Sequence, residues 1–168
     1  MPEMRHSDGP AAGCLVAMND LVPELKNITD SFDDEGLEYA VCGGLSMAIH
    51  GFPRATLDID ILIRPESLEK AFAIAKELGF DIHGLDISFK ERAVEIRRVS
   101  KIIGEYVLSL DLLLVTPQVE DVWETRQNVD FQGSVLSVVS RSGLLKLKNL
   151  AGRPQDLADI HRIENEED

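Results

Sequence analysis

The sequence predicts an α/β chain, one domain built on a small mixed β-sheet flanked by helices. Three observations carry that prediction. Apolar residues recur at helical spacing over residues 14–35, in Leu15, Met18, Leu21, Val22, Leu25, Ile28 and Phe32. Residues 57–63, 93–99 and 106–115 are dense in β-branched and apolar residues and read as strands. Gly36, Gly51, Pro53, Gly79, Gly104 and Gly133 punctuate these segments where a chain must turn.

Taken in order, residues 1–13 are rich in Pro, Gly and small residues and predict a disordered N-terminus. The single domain then spans residues 14–163. Its first helix, 14–35, contains Pro23, which either kinks it or marks a new start. Residues 39–42 predict a short buried strand, and Gly43-Gly44 turns it into a short helix over 45–50. Residues 57–63 form a strand. Ser67 is placed to cap a helix over 67–79 that Gly79 stops. Strand and loop follow from Phe80. Residues 93–99 and 106–115 pair antiparallel across Gly104. A short helix over 119–127, a strand pair over 129–139 and helices over 142–149 and 154–163 complete the domain. Residues 164–168 are an acidic, frayed tail.

Composition narrows the function. The 168 residues are 44% hydrophobic and 28% charged, an ordinary globular mixture. The formal net charge of −13 excludes a protein that grips long nucleic acid through surplus Lys and Arg. It leaves room for a small anionic substrate held by a metal and a few basic groups. Cys14 and Cys42 form no CxxC pair, and Cys42 reads as a small buried hydrophobe. Asn19, Asp20 and Pro23 interrupt the first apolar stretch, which predicts neither a signal peptide nor a membrane span, so the expected location is cytoplasmic.

The chemistry gathers in two stretches, Gly43-Gly44 and residues 54–63. In the second, Leu57, Ile59, Ile61 and Ile63 would share the packing face while Asp58 and Asp60 share the other. Carboxylates two residues apart on one strand face lie about 6.5–7 Å apart at the backbone and can converge on one divalent cation. The glycines let backbone amides approach phosphates, with the N-terminus of the following helix adding a favourable dipole. Each feature alone has a plainer reading, a tight turn for the glycines and a solvated strand face for the aspartates. Asp111 is a lone carboxylate in an otherwise apolar strand, a placement that costs several kcal/mol if buried and unpaired.

Strand, glycine pair, short helix and D-x-D strand, in that order, resemble the polymerase-beta-like nucleotidyltransferases. The stretch GGLSMAIHGFPRATLDIDILI matches their glycine-pair and paired-aspartate motif. The stretch SRSGLLKLKNLAGRPQDLADI is similar to the closing helices of the small bacterial group that includes abortive-infection toxin nucleotidyltransferases. Together the resemblance covers residues 36–163. It implies the nucleotidyltransferase fold and a Mg²⁺-dependent transfer of a nucleoside monophosphate from a nucleoside triphosphate to a hydroxyl acceptor, releasing pyrophosphate. Two ions about 3.5–4 Å apart would be bridged by carboxylates. The resemblance makes Asp58, Asp60 and Asp111 the catalytic and metal-ligating residues, and Gly43, Gly44, Ser46, Arg54, Thr56 and Lys146 the nucleotide contacts. Where the family often has Gly-Ser, this chain has Gly-Gly with Ser46 two positions on, which leaves the role of that hydroxyl open. Arg153, Asp156 and Asp159 are further motif positions without an assigned role.

The acceptor implied is a small molecule, a protein or an RNA end. The short chain leaves little room for an acceptor domain, so a homodimer or a partner protein is expected to complete the site, one version being a toxin with its cognate antitoxin. The alternative reading is a catalytically silent nucleotide-binding or interaction module on the same fold, and whether Asp111 faces Asp58 and Asp60 discriminates the two. A plain structural domain is a third reading, in which the motif is coincidence. His50 and His161 lack a nucleophile partner, and nothing has zinc-ligand spacing. Lys90, Arg92, Arg97, Arg98 and Lys101 read as a solvated strand face or as a patch guiding a phosphate-bearing acceptor. Lys146 and Lys148 are alike by residue type, and only the family position favours Lys146.

Overall fold

The computed structural model describes residues 9–165, with side chains from Leu21 onward. Cys14 and the tail beyond Asn165 therefore fall outside the described side chains. Six helices and eight strands are described: α1 (Gly9–Asp34), β1 (Ala40–Cys42), α2 (Gly43–Ile49), β2 (Asp58–Ile63), α3 (Leu68–Glu77), β3 (Ile82–His83), β4 (Ile87–Phe89), β5 (Val94–Ile103), β6 (Tyr106–Leu114), α4 (Glu120–Glu124), β7 (Gln127–Phe131), β8 (Ser134–Val138), α5 (Arg141–Ala151) and α6 (Pro154–Asn165). The helix predicted from residue 14 thus begins at Gly9, and it runs without interruption through Pro23.

The strands form one mixed sheet in the order β3-β5-β6-β2-β1-β8-β7, with β4 paired to β5. β5 and β6 are the predicted hairpin across Gly104. β2 lies parallel to β6 and antiparallel to β1, and β8 runs parallel to β1. On one face, Val41, Ile59, Ile61, Ile63, Leu110 and Leu112 pack with Leu21, Leu25, Ile28 and Phe32 of α1 and with Ala71 and Ile74 of α3. On the other, Ala40, Leu62, Ile96 and Leu113 pack with Trp123 of α4, Leu144 and Leu147 of α5 and Ile163 of α6.

Two local expectations are corrected. Leu57 precedes β2 and is 48% exposed rather than sharing the packing face, because the strand begins at Asp58. Ser67 does not cap α3: Pro65 starts a helical turn earlier, so the Ser67 backbone is already helical (φ −89°, ψ −4°) and its side chain makes no capping bond. The helix cap that does form is Ser140, whose hydroxyl accepts from the Gly143 N–H at 3.0 Å at the start of α5.

Strand register decides where chemistry can occur. On the face toward α5, one rung across four strands reads Arg98, Asp111, Asp60, Cys42. The next rung toward α4 reads Ile96, Leu113, Leu62, Ala40 and is wholly apolar. On the same face, the rung at the other end from the apolar one reads Ser100, Ser109, Asp58, with the two serine hydroxyls 3.0 Å apart. The helices cover the apolar rung, and the polar rungs face the cavity beside it.

Candidate active site

A cavity of about 460 Å³ lies over these rungs. Asp58, Asp60 and Asp111 line its floor with Gly43 and Gly44; Arg54, Lys148 and Arg153 form a basic flank; and Val94, Ile96, Leu113, Leu144 and Leu147 form an apolar wall. The alternation of β2 aims Asp58 and Asp60 the same way. Parallel pairing sets Asp111 directly beside Asp60. The three carboxylates therefore share one side of the sheet.

Gly43 is needed for two reasons. Its φ of +67° lies in the left-handed region, and a Cβ there would sit 1.9 Å from Asp60 Oδ2. The Asp60 carboxylate is thus tucked directly against the turn after β1. Gly44 is needed because Thr56 fills the adjacent space: a Cβ on Gly44 would come within 2.8 Å of Thr56 Cβ and Oγ1. Glycine at 44 and threonine at 56 are a matched pair, and the Thr56 hydroxyl stands beside the place where a residue-44 side chain would begin.

Clustered like charges in a recess raise the carboxyl pKa values. Burial and then the neighbouring Asp111 and Asp58 push Asp60 up to about 8, against the pull of Lys148 and Arg153. Burial, then Asp111, raises Asp58, while Arg98, Arg153 and Arg54 oppose the rise. The Cys42 thiol is buried and pushed well above its ordinary range by that burial, then by Asp60, as expected of an inert small hydrophobe.

The basic flank is an ordered network. Lys148 is 4% exposed and donates to Asp159 at 2.8 Å, with Asp156 at 3.7 Å. Arg54 reaches Asp159 at 3.0 Å and Arg153 reaches Asp156 at 2.6 Å. Burial would raise the Asp159 carboxyl, but the bonds from Lys148 and Arg54 hold it below its ordinary value. Asp156 and Asp159, unassigned in the sequence, are buried anchors that hold three cations at the cavity wall.

The structure brings Asp58, Asp60, Asp111, Gly43, Gly44, Arg54 and Thr56 to this cavity. It does not bring Lys146 or the Ser46 hydroxyl there. Lys146 points to the other side of α5 and pairs with the exposed Asp121 at 2.9 Å. Ser46 is fully buried, and its hydroxyl donates to the Gly43 carbonyl at 2.7 Å, within the first turn of α2. Lys148, two positions after Lys146, takes the place at the site. The signal for it was the α5 stripe: Leu144, Leu147 and Lys148 share the buried face.

Arg98, read from sequence as part of a solvated strand face or of a patch guiding a phosphate-bearing acceptor, instead pairs with the site's carboxylates. Its Nε and Nη2 donate to the two Asp111 oxygens at 2.7 and 2.9 Å, and Nη2 lies 3.7 Å from Asp58 Oδ2. The bond to Asp111 holds the guanidinium pKa above its ordinary value. The register of the hairpin across Gly104 sets Arg98 opposite Asp111.

Asp58 and Asp60 offer the oxygen donors that Mg²⁺ takes, in a cluster whose raised pKa values a cation would relieve. Arg98 already engages both Asp111 oxygens, so a cation on their remaining lone pairs would stand beside a like charge. Among the described residues, no three His, Cys, Asp or Glu side chains come together as a metal-binding group.

No protein-family model and no curated protein matches the chain. Solved structures do. A Thermotoga maritima protein provisionally assigned as a nucleotidyltransferase aligns with a TM-score of 0.61 at 19% identity, covering 88% of this chain and 94% of that one. The lincosamide antibiotic adenylyltransferase LnuA, in its lincomycin-bound structure, aligns with a TM-score of 0.59 at 18% identity, covering 85% and 96%. ANT(2″)-Ia in complex with adenylyl-2″-tobramycin aligns with a TM-score of 0.59 at 15% identity, covering 84% and 86%. The chain therefore has the nucleotidyltransferase fold. Among the described residues, no helix is long and apolar enough to cross a membrane.

Proposed function

We propose that this chain is a Mg²⁺-dependent nucleotidyltransferase that moves an adenylyl group from ATP to a hydroxyl of a small-molecule acceptor and releases pyrophosphate. The observation that supports it most is the polar rung: Asp60 and Asp111 side by side, with Asp58 on the same face and Asp60 tucked against the Gly43 turn. Asp58 and Asp60 would hold the ion. When bound, the ion would neutralise phosphate charge and polarise the α-phosphorus toward attack. The backbone at Gly43-Gly44 and the Thr56 hydroxyl approach the triphosphate, and the Arg54, Lys148 and Arg153 wall supplies fixed positive charge. Asp111, held in one orientation by Arg98, would accept the proton of the attacking hydroxyl.

The acceptor class is argued from charge and shape. A net charge of −13 opposes an RNA end, and the apolar wall formed by Val94, Ile96, Leu113, Leu144 and Leu147 suits a compact organic molecule. The lincomycin-bound LnuA and the adenylyl-tobramycin complex of ANT(2″)-Ia share the fold.

The test is calorimetric titration of the four nucleoside triphosphates with Mg²⁺ into the wild-type chain and the Asp58→Asn/Asp60→Asn variant. Metal-dependent ATP binding that the double substitution abolishes is expected. A folded wild type that binds no triphosphate, or equal binding by the variant, sinks the proposal. Binding with no pyrophosphate release across a panel of hydroxyl acceptors would favour the silent module.

A further inference from the structure

Arg98 lies outside the cavity lining but is tied to two of the site's carboxylates. Backbone pairing continues from β3 through Gly84, whose N–H donates to the Arg98 carbonyl at 2.9 Å. A Cβ on Gly84 would lie 3.3 Å from both Cβ and Cγ of Arg98, so the glycine lies flush against the arginine stem. At the far end the planar guanidinium makes two bonds to one carboxylate, Asp111, with Asp58 within 3.7 Å. That fork geometry suits a carboxylate better than a lysine's point charge does, and its charge is permanent.

A cation fixed in this way competes with a divalent ion for Asp111. Each Asp111 oxygen keeps a further lone pair, but an ion bound there would stand beside the like charge of a guanidinium braced at its stem. We propose, resting on the nucleotidyl-transfer reading above, that Arg98 is a resident cation that replaces one of the two divalent ions: the chain binds a single ion on Asp58 and Asp60, and Arg98 supplies the remaining positive charge at the carboxylate cluster. Asp111 is then left to proton transfer, positioned by Arg98.

The experiment counts bound Mn²⁺ by equilibrium dialysis of the full chain with saturating inorganic tripolyphosphate, a probe that does not depend on the base. Wild type binds one Mn²⁺ per chain beyond that carried by tripolyphosphate in a protein-free control. Arg98→Gln, with its fold checked by circular dichroism, gains a second as Asp111 is released. Asp111→Asn still binds one ion, because Asp58 and Asp60 hold it. Two ions in the wild type, or no ion in a folded Asp111→Asn, overturns the proposal while leaving the transferase reading intact. A single ion in both wild type and folded Arg98→Gln overturns it too. No bound ion in a folded wild type overturns the transferase reading and this proposal together.

Discussion

Replacing Gly43 with alanine places two separable penalties on the chain. The first is backbone: holding a non-glycine residue at φ +67° costs about 1–2 kcal/mol. The second is steric. The new Cβ would stand 1.9 Å from Asp60 Oδ2, 2.5 Å from its Cγ and 2.7 Å from its Cβ, distances at which the carboxylate must move. Overpacking of this kind adds about 1–3 kcal/mol. Gly36 supplies the control. It sits at φ +72° with nothing within 4 Å of a built Cβ, so Gly36→Ala carries the backbone penalty alone. Urea unfolding of the two variants should separate them by about 1–3 kcal/mol, the steric share. Displacing Asp60 should also abolish metal-dependent triphosphate binding in Gly43→Ala and leave it unchanged in Gly36→Ala. Equal destabilisation by the two substitutions, with triphosphate binding intact in both, would refute the placement of Asp60 against the turn.

Two further predictions concern charge. In metal-free buffer the folded chain holds a proton on Asp60 up to about pH 8, whereas the unfolded chain releases it near the ordinary value of 3.8. The resulting stability is full below about pH 4 and is lost as pH rises through about 8, so the unfolding free energy from urea titration should fall between pH 5 and 9 by on the order of 2 kcal/mol or more. Asp60→Asn should remove most of that fall, and an unchanged slope in the variant would contradict the assignment. Separately, Lys148→Ala should cost about 3 kcal/mol, the low end for stripping a buried pair, because Arg54 and Gln155 still reach Asp159. Lys146→Ala breaks only the exposed pair with Asp121 and should cost under about 1 kcal/mol without affecting triphosphate binding. The reverse order in unfolding experiments would place the wrong lysine at the site.

Much of the fold was legible because its signals are local. The hairpin across Gly104 and the strand pair around Gly133 are written in alternation and turn residues, and β5–β6 and β7–β8 form there. Boundaries were less legible where one helical turn leads into another, as at Pro65–Ser67, since an N-cap residue and a turn residue look alike in sequence. The paired aspartates and the glycine turn were legible for the same local reason: period two aims Asp58 and Asp60 together, and two adjacent glycines mark a close approach. What that approach was to, the Asp60 carboxylate at Gly43 and the Thr56 side chain at Gly44, depends on β1 and β2 pairing.

By itself, then, the sequence determined the α/β class, the strand that carries Asp58 and Asp60, and the apolar strand that carries Asp111. These follow from periodicity, which each segment holds alone. Tertiary structure alone decided that Asp111 is shared with Arg98 and that Lys148, not Lys146, reaches the cavity. The first depends on the register of two strands, and the second on which face of α5 the sheet buries. A one-residue change in either register or helix rotation would send those charges to the other side, and composition carries no record of that choice.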